Sequence, residues 1–371
     1  LQFTDFLHLI IIKIKEIKSN MEVKIQLRAT IKDVAAAAGV STTAVSLVLN
    51  GKSGKISEKT RKQILDAVEK LNYRPNHIAT SMVTKTTQTI GLVLPDISNI
   101  YFAELSKLIE QACYSYGYNV LYGSTHDMAR RDIDYINIFL DRNVDAIIVI
   151  LSNSIDDHVN DIQKIISTTD TPFIVVDRML DINVGTTIVV DHKLGGYLAT
   201  KHLINLGHRS IGCITGPKNV YSSIERLNGY MEALTEANIP IQENLIYEGN
   251  FHRESGMEAL PYLLGRGVTA IFAFNDMMAL GVYKQASYYN LSIPDNLSLV
   301  GYDDIFVSDF ITPPLTSVEQ PVKKLADEAV KQVMKAIKNK PKKQNKELLV
   351  FDPVLKVRGS TKPLISKYYY L

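Results

Sequence analysis

The chain has 371 residues, of which 46% are apolar and 22% charged, with a net charge of +2; this is the make-up of a soluble globular protein of two or three domains. Residues 29 to 85 carry nine Lys/Arg against four acids, so a basic head precedes a net acidic body, and the head is expected to meet a polyanion rather than merely to be solvated. Cys113 and Cys213 are the only cysteines; both lie in apolar segments without metal-ligand spacing, which fits a reducing compartment and excludes a disulfide scaffold.

The opening "FLHLIIIKIKEIK" is apolar but broken by His8 and Lys13. A spanning helix needs about 20 apolar residues, and no small-residue cleavage site follows, so neither an anchor nor an export signal is expected. Because the chain opens on Leu1 and carries Met21, residues 1 to 20 read as a tail or an over-extended translation start, within an extension of residues 1 to 28.

Helix signals become dense from Thr30. Thr30 and Asp33 form a capping-box pair at "IKDVAAAA", and Gly39 supplies a left-handed stop. Ser41 caps the next helix, in which Val45, Val48 and Leu49 fall at i, i+3 and i+4 and face inward; Asn50-Gly51 ends it. Ser57 begins a third helix with Ile64, Leu65, Val68 and Leu71 as its buried stripe. Three short helices with a tight turn between the first two predict a helix-turn-helix. Burying the valines turns Thr42, Thr43, Ser46 and Leu47 outward at the N-terminal end of the second helix, the end that enters the major groove in such a head. Short hydroxyl side chains there bond phosphate or base edges. A small helical domain built for protein contacts is the plainer reading, and the basic charge disfavours it.

Pro75 is expected to end the third helix, and Asn76 to cap a further one from about His77 to Val83, with Ile78 and Met82 on one face. So short a helix does not hold alone in water. It is expected to order only against a partner or DNA.

From Thr89 short apolar runs alternate with amphipathic helices. "TIGLVLP", "YNVLYGS", "VDAIIVI" and "PFIVVD" read as buried strands, and "SIGCITGP", "TAIFAFND" and "LSLVGYDD" as a second set. Such βα units imply parallel, doubly wound sheets, and two sets imply two lobes. "KNKPKKQNKE" reads as a solvated loop.

Sheets of this kind bind ligands at the carboxyl ends of their strands. The polar residues there are Asn99, Asp177, Arg178, Asn275, Asp276, Asp303 and Asp304, with Tyr101, Phe102, Arg226, Phe251 and Gln320 around them. Carboxylates, amides and guanidinium groups bond adjacent hydroxyls, and aromatic faces cover the C–H side of a sugar. The set suits a neutral polyhydroxyl ligand; the chain has no P-loop and no dinucleotide fingerprint. Plainer readings also exist: Asp276 capping the helix "MMALGVY", Asp304 bonding its own loop, Arg226 as an exposed helix arginine, Tyr101 and Phe102 as core.

"ATIKDVAAAAGVSTTAVSLVLNG" followed by "LNYRPNHIATSM" resembles the head and hinge of the lac-repressor family of bacterial transcriptional regulators. The likeness continues through "IGLVLPDISNIYFAEL", "HLINLGHRSIGCITGP", "NDMMALGVY" and "LVGYDDI" to "FDPVLKVRGST", covering residues 29 to 361. It implies an α/β protein: a three-helix helix-turn-helix head over 29–75, a hinge helix and linker over 76–87, and a two-lobed, doubly wound body over 88–361 like the periplasmic binding proteins. Lobe 1 would take about 88–190 and 320–348, lobe 2 about 191–319 and 349–361, and 362–371 would be a tail.

The resemblance also implies site residues. Thr42, Thr43 and Leu47 take the base-reading positions, and Met82 stands where the family wedges a leucine into the minor groove, kinking the duplex. Thr30, Ser41, Ser46, Asn50, Tyr73, Asn76, His77 and Ala79 complete the DNA-contact set. Leu47 cannot hydrogen-bond guanine and is left with a thymine methyl. Asn99, Tyr101, Phe102, Asp177, Arg178, Arg226, Phe251, Asn275, Asp303 and Gln320 fall where a ribose receptor grips its sugar. "LGGYLATKHLINLGHRSIGCITGP" and "FITPPLTSVEQP" resemble ribose-operon repressors, so ribose or a close furanose or pentose is the expected effector.

The expected partners are pseudo-palindromic double-stranded operator DNA, the sugar, and a second copy in a homodimer or dimer of dimers, in the cytoplasm at the nucleoid. No cofactor, metal or enzymatic activity is expected: His126, His158, His192, His202, His208 and His252 show no nucleophile–base or metal spacing. A transport receptor would explain the body alone. Within the regulator class, the alternative is a carbon-catabolite regulator with a phosphoprotein corepressor.

Overall fold

The computed structural model describes residues 29–49, 51, 54, 56–74, 86–153, 158–179, 185–339 and 346–364. Asn50, Pro75 and the hinge residues Asn76, His77, Ala79 and Met82 lie outside them, as does the N-terminal extension. The chain divides into two units, residues 1–85 and 86–371.

In the first unit, α1 (Ile31–Ala38), α2 (Thr42–Leu49) and α3 (Glu58–Lys70) pack around Val34, Ala35, Val45, Val48, Ile64 and Ala67. The capping box forms as read: Thr30 accepts from the Asp33 N–H, and the Asp33 carboxylate accepts from the Thr30 N–H at 2.8 Å. Gly39 ends α1 at φ 66°, and Ser41 Oγ accepts from the Ala44 N–H at 3.2 Å. Two expectations need correction. Leu65 is 46% exposed, and Ala67, next around the helix, takes the buried place beside Ile64. Nor does Pro75 end α3: the helix stops at Lys70, where Asn72 turns left-handed (φ 45°) and the Tyr73 N–H donates back to the Val68 carbonyl at 2.9 Å.

In the second unit, β1 (Thr89–Leu94), α4 (Ile100–Ser115), β2 (Asn119–Ser124) and α5 (Ala129–Asp141) come first. There follow β3 (Ala146–Val149), α6 (Val159–Thr168), β4 (Phe173–Val176) and β5 (Thr186–Val190). The chain then crosses to lobe 2 with α7 (His192–Asn205), β6 (Ile211–Thr215), α8 (Tyr221–Glu236), β7 (Ile246–Glu248) and α9 (Arg253–Leu264). That lobe continues with β8 (Ala270–Ala273), α10 (Asp276–Tyr288), β9 (Ser298–Asp303), α11 (Val307–Phe310) and β10 (Thr316–Glu319). A second crossing leads back to α12 (Val322–Asn339) and β11 (Glu347–Phe351), and a third to β12 (Val354–Lys356).

The sheet orders are β11-β5-β4-β3-β1-β2 and β12-β10-β9-β8-β6-β7, parallel except where β12 runs against β10. Alternation along β1 shows why helices cover both faces. Ile90, Leu92 and Leu94 join Leu105 and Ile109 of α4 and Leu325 and Val330 of α12, while Val93 joins Ile136 and Phe139 of α5. Phe351 pairs with Val190, so the first sheet runs three residues past the expected boundary at 348. Cys113 and Cys213 are buried and free. Among the described residues no single helix is long and apolar enough to cross a membrane.

Candidate functional site

A cavity of about 150 Å³ opens between the two sheets at the carboxyl ends of their strands. It is lined by the ten residues that the resemblance implies for the sugar, whereas Asp276 and Asp304, also picked out at strand ends, do not line it. Asn99, Tyr101 and Phe102 come from the start of α4, Asp177 and Arg178 follow β4, and Arg226 projects from α8. Phe251 lies on the loop after β7, Asn275 follows β8, Asp303 ends β9, and Gln320 stands at the second crossing.

On the lobe 1 side, Asn99 Oδ1 caps α4 by accepting from the Tyr101 N–H at 3.0 Å. The Tyr101 hydroxyl donates to Asp177 Oδ1 at 2.6 Å, and burial with that carboxylate holds the phenol well above its ordinary pKa. Arg178 donates through Nη1 to Asp127 Oδ1 at 3.0 Å and to the Leu151 carbonyl, with its guanidinium 5.4 Å from the Phe102 ring centre.

On the lobe 2 side, Arg226 lies 3.6 Å over the Tyr302 ring and donates through Nη1 to the Phe274 carbonyl. Its Nη2 stands 3.9 Å from Asp303 Oδ1. Burial pushes the Asp303 carboxyl well above its ordinary range, with Arg226 pulling the other way. Gln320 Nε2 donates to Asp303 Oδ1 at 2.8 Å while its Oε1 lies 3.1 Å from the Tyr101 hydroxyl, so one amide spans the two lobes. Asp177, Phe251 and Asp303 all adopt left-handed backbone (φ 69°, 67° and 103°). Such conformations cost about 1–3 kcal/mol each and gather where a site must be held in shape.

Three plainer readings give way. Asn275, not Asp276, caps α10: its Oδ1 accepts from the Met278 N–H and its Nδ2 donates to the Phe251 carbonyl, each at 2.9 Å. Asp276 is wholly buried and accepts from the hydroxyls of Ser308 and Ser317, both at 2.6 Å. Asp304 pairs with Arg358 at 2.6 Å rather than with its own loop, and Arg226 is buried rather than an exposed helix arginine.

The cavity has further lining residues that sequence reasoning missed, among them Asp96, His126, Asp127, Asn153, Ser222, Asn250 and His252. Asp96, His126, Asp127 and Asn153 follow β1, β2 and β3, so the strand-end rule applied to every strand would have reached them. Of the others, Ser222 lies in the first turn of α8 and Asn250 and His252 on the loop before α9, with no pattern to mark them. Four carboxyl groups (Asp96, Asp127, Asp177, Asp303) face two guanidinium groups in this wall, which suits a neutral polyol better than an anion. Among the described residues no group of three or more His, Cys, Asp or Glu is placed to hold a metal ion.

In the head, Thr42 and Thr43 are exposed, Leu47 is 36% exposed and Ser46 half-buried. The Thr30 and Ser41 hydroxyls serve as helix caps, and Tyr73 packs against the head's core.

Residues 30–76 match the model of the bacterial regulatory proteins of the lacI family, and residues 87–353 match that of the periplasmic binding proteins and sugar binding domain of the LacI family. The chain is 37% identical to the HTH-type transcriptional regulator DegA of Bacillus subtilis over 339 residues, 91% of this chain and 99% of that protein. It is also 37% identical to the HTH-type transcriptional repressor PurR of Photobacterium profundum over 340 residues, with the same coverage. The lac repressor dimer bound to operator and the anti-inducer ONPF superposes with a TM-score of 0.78 at 27% identity, over 90% of this chain and 99% of that one. A LacI family regulator from Enterococcus faecium with bound ribose gives 0.67 at 29% identity, over 75% and 100%. Head and body match in order and almost throughout: the chain belongs to the LacI family of DNA-binding transcriptional regulators.

Proposed function

We propose that this repressor grips a pseudo-palindromic operator as a dimer or dimer of dimers, and that ribose or another pentose bound between its lobes controls the grip. The observation that carries the reading is the convergence of ten polar and aromatic side chains from both lobes on one cavity whose wall has more carboxylates than guanidinium groups. Phe102 and Phe251 offer ring faces to the C–H side of a sugar, and the Arg and Asp groups offer forks to its hydroxyls. The ribose held by the E. faecium relative supports a pentose in particular.

In the head, Thr42 and Thr43 present short hydroxyls to the major groove, and Leu47 reads a thymine methyl. Hinge segments of two subunits fold together against the minor groove and insert Met82. Sugar binding draws the lobes together, shifts the roots of the hinges and makes that folded pair unfavourable. A coupling of about 1–3 kcal/mol, typical of allostery, changes operator affinity roughly 5- to 150-fold.

Thermal unfolding with a panel of pentoses and hexoses tests the reading. A sugar at 100 times its Kd stabilises the folded state by about 2.7 kcal/mol; ribose is expected to do so and hexoses are not. No response to any sugar, together with stabilisation by a phosphorylated partner protein, would replace this reading with that of a carbon-catabolite regulator.

A further inference from the structure

One buried histidine outside the cavity wall touches the arginine at its centre. His192 opens α7, directly after the first crossing between the lobes, and is 1% exposed. Its Nδ1 lies 3.0 Å from the Tyr302 hydroxyl and 3.4 Å from Arg226 Nη2. A guanidinium can only donate. Nδ1 must therefore accept, which places the proton of a neutral ring on Nε2. Burial, reinforced by the charge of Arg226, holds the imidazole well below its ordinary pKa, so the ring is neutral. Nε2 makes no close hydrogen bond among the described residues. The ring also faces the Asp177 backbone, which pulls its pKa the other way but less than burial and Arg226 lower it.

The packing around this contact leaves no slack. A Cβ on Gly195 would stand 2.5 Å from the Tyr302 hydroxyl oxygen, and one on Gly196 would stand 2.2 Å from the Arg226 carbonyl oxygen. Across the same seam, a Cβ on Gly229 of α8 would stand 2.0 Å from the Lys193 carbonyl oxygen. The "GG" of α7 thus lets two helix backbones and a tyrosine meet at His192. The guanidinium of Arg226 is held on three sides: its face by Tyr302, Nη1 by the Phe274 carbonyl and Nη2 by His192.

We propose that His192 is a positioning residue for Arg226: its neutral, Nε2-protonated ring accepts from Tyr302 and Arg226 and fixes the angle at which the guanidinium meets the effector. This rests on the cavity being the effector site. Asparagine at position 192 keeps an acceptor near the place of Nδ1, whereas glutamine puts its amide near the place of Nε2.

Two measurements on the full-length protein test it. Ring ¹⁵N spectra of histidine-labelled protein, with His192 assigned by its loss in His192→Gln, are expected to show the Nε2–H tautomer at neutral pH; an Nδ1–H tautomer or an imidazolium would overturn the assignment. In calorimetric titration with D-ribose, His192→Gln is expected to lose about 10- to 100-fold in affinity, the worth of one hydrogen bond to a charged group, and His192→Asn to retain wild-type affinity. Both variants should keep the sugar-free operator affinity. Equal losses in both, or loss in neither, overturn the positioning role. If wild type binds no sugar in the panel, the effector reading fails, and the tautomer alone decides whether His192 orders Arg226.

Discussion

The two halves of the cavity use the same three residue types and set them differently. Lobe 1 offers Arg178, Asp127 and Phe102; lobe 2 offers Arg226, Asp303 and Phe251. The lobe 1 ion pair is closed at 3.0 Å and its carboxylate is 35% exposed, so water already screens it. The lobe 2 pair stands apart at 3.9 Å with side chains only 5% and 7% exposed, and Arg226 Nε has no hydrogen-bond partner among the described residues. Desolvated charges in loose geometry are costly, and added hydrogen bonds are what repair them. A ligand hydroxyl bridging Arg226 and Asp303 therefore gains more than one beside Arg178. On the proposed reading, lobe 2 would then contribute more of the affinity than lobe 1.

The largest expected effect breaks the lobe 2 half. Asp303→Ala strips a buried guanidinium of its counter-charge and should weaken ribose binding at least about 100-fold, abolishing the operator response, since breaking a buried pair costs about 3–5 kcal/mol. Operator binding without sugar should survive in gel-shift titrations at fixed salt. Loss of both would count against a division of labour between head and body.

Gly196→Ala should come next. Its methyl meets the Arg226 carbonyl oxygen at 2.2 Å, and backbone on both sides leaves only helix displacement as relief. Overpacking of this kind costs about 1–3 kcal/mol of stability, to be read by denaturant titration; an unchanged midpoint would mean that α7 and α8 are not locked together. Arg178→Ala, on the screened side, should weaken ribose only about 10-fold, the low end of the range for one hydrogen bond to a charged group. A loss as large as that of Asp303→Ala would erase the distinction between the halves.

The smallest effect lies in pH. Each lobe buries an aspartate bonded by serine: Asp132, held up at about 6, accepts from the Ser152 N–H and hydroxyl, and Asp276 is held up at about 7. Burial is the leading cause in both. The unfolded chain releases these protons near 3.8 and the folded chain only at the raised values. Their stabilising contribution is thus complete below about pH 4 and disappears as pH rises to about 6 for Asp132 and about 7 for Asp276. Melting temperatures of Asp132→Asn and Asp276→Asn relative to wild type should climb with pH across those windows and then level off, Asp276→Asn later. Differences that stay flat from pH 4 to 7 would contradict the burial argument.

Local rules made much of this legible in the sequence. In the head, capping box, left-handed glycine and valine spacing are interactions within a few residues, and they form as read. Leu65 failed because a helical stripe has an edge, and the smaller Ala67 fits the crowded place against Ile64. Strands β1, β3, β4, β6, β8 and β9 announce themselves as apolar runs, whereas β7, β10 and β12 are short edge or near-edge segments whose pairing depends on distant neighbours. The ten cavity residues came from strand ends and from family resemblance. His192 did not, because its significance lies in contacts with Arg226 and Tyr302, 34 and 110 residues away, that no local pattern encodes.

The most direct test of control by a sugar between the lobes is calorimetric titration of the full-length protein with D-ribose, alone and again with its operator duplex present. Because coupling is reciprocal, saturable binding is expected in both cases, with the affinity for ribose lower on DNA by about 5- to 150-fold. No binding heat, or one affinity with and without operator, would contradict it.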